Sequence, residues 1–179
     1  MILAKRWFAV VVLGSLLACV AVAKDDKETK NEEKPDNKAL QLKACGEKDK
    51  EVDYKAETDK NSHPTPEPSN GKAMIYVMRP TMAGNKVQTK LAVDGVWKGV
   101  NRGNNYFFFE VEPGDHYFCS VSENHDVMPL KVEAGKTYFL QQHISMGFMK
   151  ARNNLEIMEE AKAKEKLSKL HLATWEEKK

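Results

Sequence analysis

Residues 73–78 read AMIYVM, and this short apolar stretch decides the fold. Gly71 precedes it, and Arg79 and Pro80 end it. A continuous apolar run of this length, bounded by turn-forming residues, is typical of a β-strand whose two faces are both buried. We therefore predict such a strand here and place the start of the folded domain near Gly71.

Further strand signals follow this run. Apolar and polar residues alternate over residues 87–93, and Asp94-Gly95 then gives a strong hairpin signal, with residues 96–100 as the returning strand. Because proline cannot donate a backbone hydrogen bond within a sheet, we assign the segment that contains Pro129 to an edge strand. The later segments with strand character are residues 106–111, 116–122, 127–132 and 137–144. Strands about ten residues apart with short turns indicate an antiparallel sandwich or a small barrel.

The two ends of the chain differ from this β-rich centre. Residues 24–70 mix lysines, acids and prolines with few large apolar side chains, so we expect a charged, Pro-rich spacer there. Residues 153–170 are rich in helix formers, and Asn153 and Glu156 have the spacing of a capping box. We therefore predict a C-terminal helix and tail at residues 146–179.

Together these segments predict a mainly β protein. Residues 71–145 are expected to form an antiparallel β-sandwich, immunoglobulin-like or PEGA-like, between a disordered N-terminal spacer and a C-terminal α-helix. A chain of 179 residues has room for one such domain with its flanking segments rather than for two domains.

The first residues carry the pattern of an export signal. A basic start, an apolar run over residues 7–17 and the small-residue sequence AVA at residues 21–23 are its three parts. The apolar run is shorter than the roughly 20 residues that a membrane-spanning helix needs. We predict a signal peptide at residues 1–23 and an extracytoplasmic location, in the periplasm or the cell envelope.

A second processing rule overlaps with the first. The sequence LLAC at residues 16–19 resembles a lipobox, in which the chain is cut before Cys19 and lipid is attached to that thiol. Leucine two positions before the cysteine is bulkier than this pattern prefers, so cleavage after Ala23 is favoured. The alternative stays open, and it would anchor the protein to a membrane through the lipid on Cys19.

Cys45 and Cys119 remain whichever cut applies. Thiols in an exported domain usually oxidise in pairs, so we predict a disulfide between these two residues. If Cys119 shares the core face of its strand with Tyr117 and Val121, the segment around Cys45 is pinned to the domain. The alternative is that the two cysteines are not bonded, with Cys119 buried as an apolar residue and Cys45 free and exposed.

The distribution of charge argues against nucleic acid as a partner. The net charge is +2, and basic residues are mixed with acidic ones almost everywhere in the chain. A surface that binds nucleic acid would instead show clustered lysines and arginines. We predict no nucleic-acid partner, and a membrane only through a lipid anchor.

Residues that could catalyse a reaction or bind a metal lack the spacing that such sites need. His116, His125 and His143 form no metal-binding pattern with each other or with the cysteines. Ser122, His125 and Asp126 occur together in SENHD, but geometry defines a catalytic triad, and neighbours on a short loop rarely provide it. We predict no catalytic residue, no metal ligand and no cofactor.

Trp97 is the aromatic side chain that we single out as a candidate contact to a partner. It follows the Asp94-Gly95 turn, and a tryptophan beside a loop can anchor a ligand or another protein. Packing in the core or at the sheet edge is its alternative role.

Four motifs within residues 72–142 occur in the order KAMIYVMRP, LAVDGVWKG, YFFFEVEPGDHYFC and VEAGKTYFL. In this order they resemble the bacterial domain-of-unknown-function family 2846. The resemblance implies an exported antiparallel β-sandwich, often found in lipoproteins, and no established activity. It covers neither the charged spacer nor the lysine-rich tail.

The leading hypothesis for function is a noncatalytic cell-envelope protein that acts as a binding or interaction module. Its partner would be an unknown ligand or envelope protein, held by a hydrophobic sheet face or by the loop of Trp97. Two alternatives stay open. One is a small extracytoplasmic hydrolase or metal-dependent enzyme that uses His116, His125 or His143, and the other is a structural subunit of the envelope.

Overall fold

The computed structural model describes residues 37–47, 51–81, 84–146 and 151–178. The predicted signal peptide at residues 1–23, Cys19 within it and the spacer up to residue 36 lie outside the described residues. The described ranges form the helices α1 (Asn37–Cys45) and α2 (Glu160–Leu167) and the strands β1 (Tyr54–Asp59), β2 (Ala73–Arg79), β3 (Thr89–Val93), β4 (Val96–Asn101), β5 (Asn105–Val111), β6 (Gly114–Val121), β7 (His125–Val132), β8 (Thr137–Met146), β9 (Ala151–Ile157) and β10 (His171–Glu177). Neither helix in these ranges is long and apolar enough to cross a membrane.

The strands form two sheets that pack face to face. The larger sheet has the order β1-β10-β5-β2-β8-β9, and the smaller sheet has the order β4-β3-β6-β7. One apolar cluster takes residues from both sheets, as the core of a sandwich does. The prediction of a mainly β, sandwich-like fold with a helix near the C-terminus is confirmed.

The pairing in the larger sheet is mixed rather than antiparallel throughout. β2 pairs antiparallel with β5 but parallel with β8, and β10 runs parallel to β5. The path of the chain is the reason. The hairpin β3-β4 lies between β2 and β5, and the hairpin β6-β7 lies between β5 and β8, so the chain visits the smaller sheet before each return. The predicted antiparallel order therefore holds for the smaller sheet and only in part for the larger one.

β2 is buried over its whole length, as its apolar run predicts. Ala73, Ile75 and Val77 belong to the core between the sheets, together with Phe107 and Phe118. Because side chains alternate across a strand, the residues between them point to the opposite face of the sheet. The predicted burial of both faces is confirmed.

The outer face of the larger sheet carries a second apolar cluster. Met74, Tyr76 and Met78 lie in it, and α2 covers it through Ala163 and Leu167. A helix of 8 residues is too short to be stable alone, since isolated helices need about 12–15 residues. Burial of apolar surface against this face therefore holds α2 in place.

The described part of the predicted spacer is folded. α1 covers the outer face of the smaller sheet, and β1 pairs antiparallel with β10 over its full length. The folded unit thus begins well before Gly71, where the sequence places its start. Composition hides both elements, because α1 buries Ala44 and Cys45 alone and β1 exposes every second residue in its first half.

The C-terminal segment differs from the single helix predicted over residues 153–170. β9 extends the larger sheet beside β8, and β10 inserts between β1 and β5. The helix α2 begins at Glu160, and its cap is Glu159 rather than Asn153. Asn153 is buried in β9. Pairing with the sheet overrides the helix propensity of these residues, which is a weak preference.

A buried polar network joins the two sheets. The side chain of Gln142, on β8, is fully buried. Its Oε1 accepts hydrogen bonds from Thr89 Oγ1 at 3.0 Å and from Asn101 Nδ2 at 3.2 Å. Its Nε2 donates to Ser120 Oγ at 3.0 Å. One side chain of the larger sheet thus satisfies groups from three strands of the smaller sheet.

Gln142→Leu is expected to lower the free energy of unfolding by about 2–4 kcal/mol, because each buried polar group that loses its partner costs about 1–3 kcal/mol. Gln141→Leu is the matched control, since Gln141 lies on the opposite face and bonds with Lys166 instead. The control should cost less, about 1 kcal/mol, because it loses a single hydrogen bond. Urea unfolding measures both values, and equal losses would contradict the role given to the network.

Candidate ligand-binding cavity

The predicted disulfide between Cys45 and Cys119 is confirmed. The two Cα atoms are 5.2 Å apart, and both side chains are buried. The bond joins the end of α1 to β6, in a cluster with Ala44, Ala92 and Val121. Disulfides form and persist in oxidising compartments, so the pairing fits an extracytoplasmic location.

Cys119 faces α1 and not the core between the sheets. Phe118 is the β6 residue that lies in that core, whereas Tyr117 and Val121 pack with Cys119 on the side of α1. The segment around Cys45 is pinned to this face, as the sequence predicts. The face is an outer surface of the sandwich, however, and the pinned helix is its cover.

The β3-β4 hairpin locks onto the end of α1. Asp94 and Gly95 have φ values of 50° and 80°, as a tight hairpin turn requires. The Gly95 amide donates to the Ala44 carbonyl at 3.0 Å. A Cβ at Gly46 would lie 2.8 Å from the Gly95 carbonyl oxygen, so glycine is needed where the two turns touch. This contact fixes α1 a second time, next to the disulfide.

Trp97 lies on β4 and is half-buried. It packs in two apolar clusters, one below α1 and one beside β1. The Lys90 ammonium lies 5.5 Å from the centroid of the indole ring. A crevice of about 310 Å³ next to it is lined by Leu42 and Gly46 among others. The ring thus packs at the sheet edge, and its contact to a partner stays a prediction.

The histidines of the alternative enzyme hypothesis are not brought together. His116 lies on β6 in the smaller sheet, and His143 lies on β8 in the larger sheet. His125 begins β7, and both His125 and His143 are exposed. In the part of the chain that the structure describes, no three potential metal-binding side chains form a cluster.

The SENHD segment serves to attach a turn to a strand. Asp126 Oδ2 accepts a hydrogen bond from the Leu155 amide at 2.6 Å. Asn124 exchanges hydrogen bonds with Asn153, whose amide donates to Asn124 Oδ1 at 2.7 Å. The Ser122 hydroxyl is buried with no hydrogen-bond partner among the described residues. These contacts fasten the β6-β7 turn to β9 and do not build a catalytic triad.

His116 has a hydrogen-bond acceptor at each ring nitrogen. Nδ1 lies 2.6 Å from Asp94 Oδ2, and Nε2 lies 2.7 Å from the Glu112 carbonyl oxygen. Burial lowers the pKa of His116, but the hydrogen bonds to Asp94 and Glu112 outweigh it and raise that pKa above its ordinary value. The protonated ring can donate to both acceptors at once. The pair therefore braces the β3-β4 hairpin against β6.

A cavity of about 360 Å³ lies on the outer face of the larger sheet. Tyr76 and Phe139 form its floor, α2 forms one wall, and residues 63–67 form the other. We name residues 63–67 the strap and the space below them the strap cavity. The cavity exists because a short helix and a proline-containing segment together cover the sheet face incompletely.

The floor of the strap cavity is aromatic. The rings of Tyr76 and Phe139 are stacked, with centroids 5.3 Å apart and 21° between their planes. Tyr106 and Phe108 extend this surface, with ring centroids 6.3 Å and 5.6 Å from that of Tyr76. Aromatic faces carry a negative electrostatic potential, which favours cations placed over them.

Two tyrosine hydroxyls hold the strap. Tyr76 donates to the Pro66 carbonyl at 2.7 Å, and Tyr106 donates to the Pro64 carbonyl at 2.9 Å. Burial is the main cause that raises the pKa of each tyrosine to about 12, so both keep their protons at neutral pH. His63 Nε2 adds a contact of 2.8 Å to the last carbonyl of α2. The strap is thus tied to the sheet and to the helix.

Charged side chains form the rim of the strap cavity. Glu160 and Lys164 make an ion pair at 2.6 Å on α2, and Glu67 lies on the strap. A hydrogen bond to Glu160 is the main cause that raises the pKa of Lys164, and the charge of Glu67 contributes. Burial raises the pKa of Tyr76 first, and the charge of Glu67 adds to it. Glu67 therefore acts on both the rim and the floor.

The sequence points to Trp97 and gives no direct indication of the strap cavity. The available signal is the presence of Tyr76 and Tyr106 in otherwise apolar strands, because a buried tyrosine hydroxyl usually needs a hydrogen-bond partner. Nothing in the sequence identifies the carbonyls of Pro64 and Pro66 as those partners. The contact joins segments that are distant along the chain, and only the folded topology brings them together.

The fold and the cavity define a β-sandwich domain with a helix on each outer face and a ligand-sized space beside one of them. Residues 69–154 match the family described as protein of unknown function (DUF2846), and the resemblance drawn from its motifs is confirmed. The matched segment includes the cavity floor but neither the strap nor α2.

A protein from Haemophilus influenzae that is described as uncharacterized is 28% identical to this chain over 107 residues. The match covers 59% of this chain and 64% of that protein, so the chain spans less than two thirds of the length of the curated relative it matches. No solved structure matches this chain. Neither the family nor the relative names a ligand or an activity.

Replacement of both cysteines, Cys45→Ala with Cys119→Ala, should lower the free energy of unfolding. The separation of 74 residues closes a long loop, for which the chain-entropy relation gives an upper figure of about 4.5 kcal/mol, so we expect a loss of about 2–4 kcal/mol. Urea unfolding measures the loss, and the reduced wild-type protein is the control for the substitutions themselves. A double variant as stable as the oxidised protein would show that the disulfide does not stabilise the fold.

The His116 pair should make stability depend on pH. Because folding raises the pKa of His116, the charged ring stabilises the fold below the unfolded pKa of about 6.5, and this contribution is lost as the pH rises through the folded pKa. The stability of the wild-type protein relative to His116→Gln should therefore fall as the pH rises above about 6.5. His143→Gln, at an exposed site, is the control in urea unfolding. If the difference in free energy of unfolding between the wild type and His116→Gln does not change with pH, the predicted pH dependence is wrong.

Proposed function

We propose that this protein is a noncatalytic binding module whose ligand site is the strap cavity. The observation that carries the proposal is the cavity itself, about 360 Å³ above an aromatic floor. Sites for small molecules are typically concave spaces of about 300–1,000 Å³ with aromatic and apolar walls and a few well-placed polar groups. The strap cavity has this size and this mixture of groups.

The walls of the cavity are formed before any ligand arrives. Hydrogen bonds from Tyr76 and Tyr106 fix the strap to the sheet, and His63 links it to α2. Proline residues restrict the backbone of the strap further. A preformed site loses little conformational freedom when it binds, which favours affinity. The preformed walls therefore support a binding role for the strap cavity.

The lining groups are suited to hold a ligand rather than to transform it. The Tyr76 hydroxyl and the His63 ring already bond to backbone carbonyls, and Glu160 is paired with Lys164. A catalytic nucleophile would need an adjacent base that a third group orients. Among the described residues that line the cavity, we find no nucleophile with a base that a third group orients. We therefore assign binding to the cavity as its function.

An extracytoplasmic location, in the cell envelope, is part of the proposal. The buried disulfide supports an oxidising compartment, and the pattern of residues 1–23 supports export. Cleavage after Ala23 would release the module, and acylation of Cys19 would keep it near a membrane. Either product would present the same cavity to ligands outside the cytoplasm.

Thr137→Trp should abolish binding at the strap cavity, because the larger ring would fill the space above the floor. The test is saturation-transfer NMR with a fragment set that contains cations, anions and neutral compounds. Thr174→Trp is the matched control, since Thr174 is an exposed strand residue that does not line the cavity. We expect fragments that bind the wild type and the control but not Thr137→Trp. No binding to the wild type, or equal binding to all three proteins, would refute the proposal.

A further inference from the structure

We infer that the ligand of the strap cavity is a small organic ammonium ion with an apolar body. This inference rests on the proposed function of the cavity as a binding site and adds the chemical class of the ligand. Three features support it. They are the net charge of the rim, the aromatic floor, and the carboxylate of Glu159 that already occupies the N-terminus of α2.

The rim has an excess of negative charge. Glu67 and Glu160 contribute two carboxylates and Lys164 one ammonium, which leaves one negative charge among these three residues. The ammonium of Lys164 is bound to Glu160 at 2.6 Å. Glu67 is the carboxylate that the strap contributes to the cavity lining. A second ammonium group, brought by a ligand, would complete the balance of charge.

The floor is suited to the same kind of ligand. Tyr76 and Phe139 line the cavity, although each is only 3% exposed, and aromatic faces attract cations by about 0.5–2 kcal/mol. Glu67 and Tyr76 line the same cavity, and the charge of Glu67 adds to the burial that raises the pKa of Tyr76. An ammonium ion there meets both attractions at once.

An anionic ligand is disfavoured at the same place. The N-terminus of α2 would be the natural anion site, because its free amides carry partial positive charge. The carboxylate of Glu159 already occupies it and accepts hydrogen bonds from the amides of Ala161 and Lys162 at 2.9 Å and 3.2 Å. The chain thus fills its own anion site with a carboxylate and leaves the neighbouring cavity negative.

The test compares three probes that share a six-carbon chain, namely hexylammonium, hexan-1-ol and hexanoate. Each is titrated into ¹⁵N-labelled wild-type protein, and dissociation constants are taken from amide shifts around Thr137 and Ser168, which line the cavity. Hexylammonium should bind at least about tenfold more tightly than hexanoate, and added salt should weaken this preference. Hexan-1-ol should bind weakly and independently of salt.

Charge variants give shifts of opposite sign. A charge about 6 Å from the bound cation in water-like surroundings changes affinity roughly threefold. Glu67→Gln should therefore weaken hexylammonium binding by about that factor, and Lys164→Gln should strengthen it. Glu165→Gln and Lys169→Gln are matched controls, because these residues form a comparable ion pair away from the cavity. Both controls should leave the dissociation constant unchanged.

The outcomes separate this inference from the function on which it rests. If hexanoate or hexan-1-ol binds as tightly as hexylammonium, or if Glu67→Gln and Lys164→Gln have no effect, the cationic class is wrong. If hexylammonium does not bind while other fragments bind in a manner that Thr137→Trp abolishes, the class is again wrong, and the binding module stands. If neither the fragments nor the three probes bind, both proposals fail.

Discussion

The double burial of β2 is the constraint on which the rest of the structure depends. Its inward residues need one apolar cover and its outward residues need another, because each exposed side chain of this size would forgo about 1.5–3 kcal/mol. The smaller sheet supplies the first cover. The strap and α2 supply the second. A strand with one polar face would have required neither the strap nor the helix, and the molecule would have no strap cavity.

The smaller sheet covers the inner face of the larger sheet more completely than the strap and α2 cover its outer face. The core between the sheets takes apolar side chains from both, and Gln142 forms hydrogen bonds with Thr89, Asn101 and Ser120 where polar residues enter it. The outer cover is built from a short helix and an irregular segment, which cannot interlock with a flat aromatic surface as a second sheet does. Tyrosine hydroxyls compensate by fixing the strap through its carbonyls. The space left between these elements is the candidate site.

The smaller sheet also has an apolar outer face that needs a cover. The helix α1 covers it, and a disulfide helps to hold this helix in place. α1 buries two side chains, too little apolar surface to hold a helix of 9 residues by packing alone. The disulfide and the contact between Gly46 and Gly95 attach it to β6 and to the β3-β4 hairpin. The fold thus combines a helix held by packing on one face with a helix held by a cross-link on the other.

The sequence by itself determined the strands β2 to β8, their hairpins and the buried character of β2, and it favoured the pairing of the cysteines, because these depend on local periodicity, turn residues and a small number of thiols. It also carried the motifs of the family. Only the tertiary structure decided that residues 54–59 and 171–177 pair as strands, that Asn153 serves the sheet and not a helix, and that the strap cavity exists. Each of these outcomes depends on contacts between distant segments, whose energies exceed the weak local preferences that sequence patterns report.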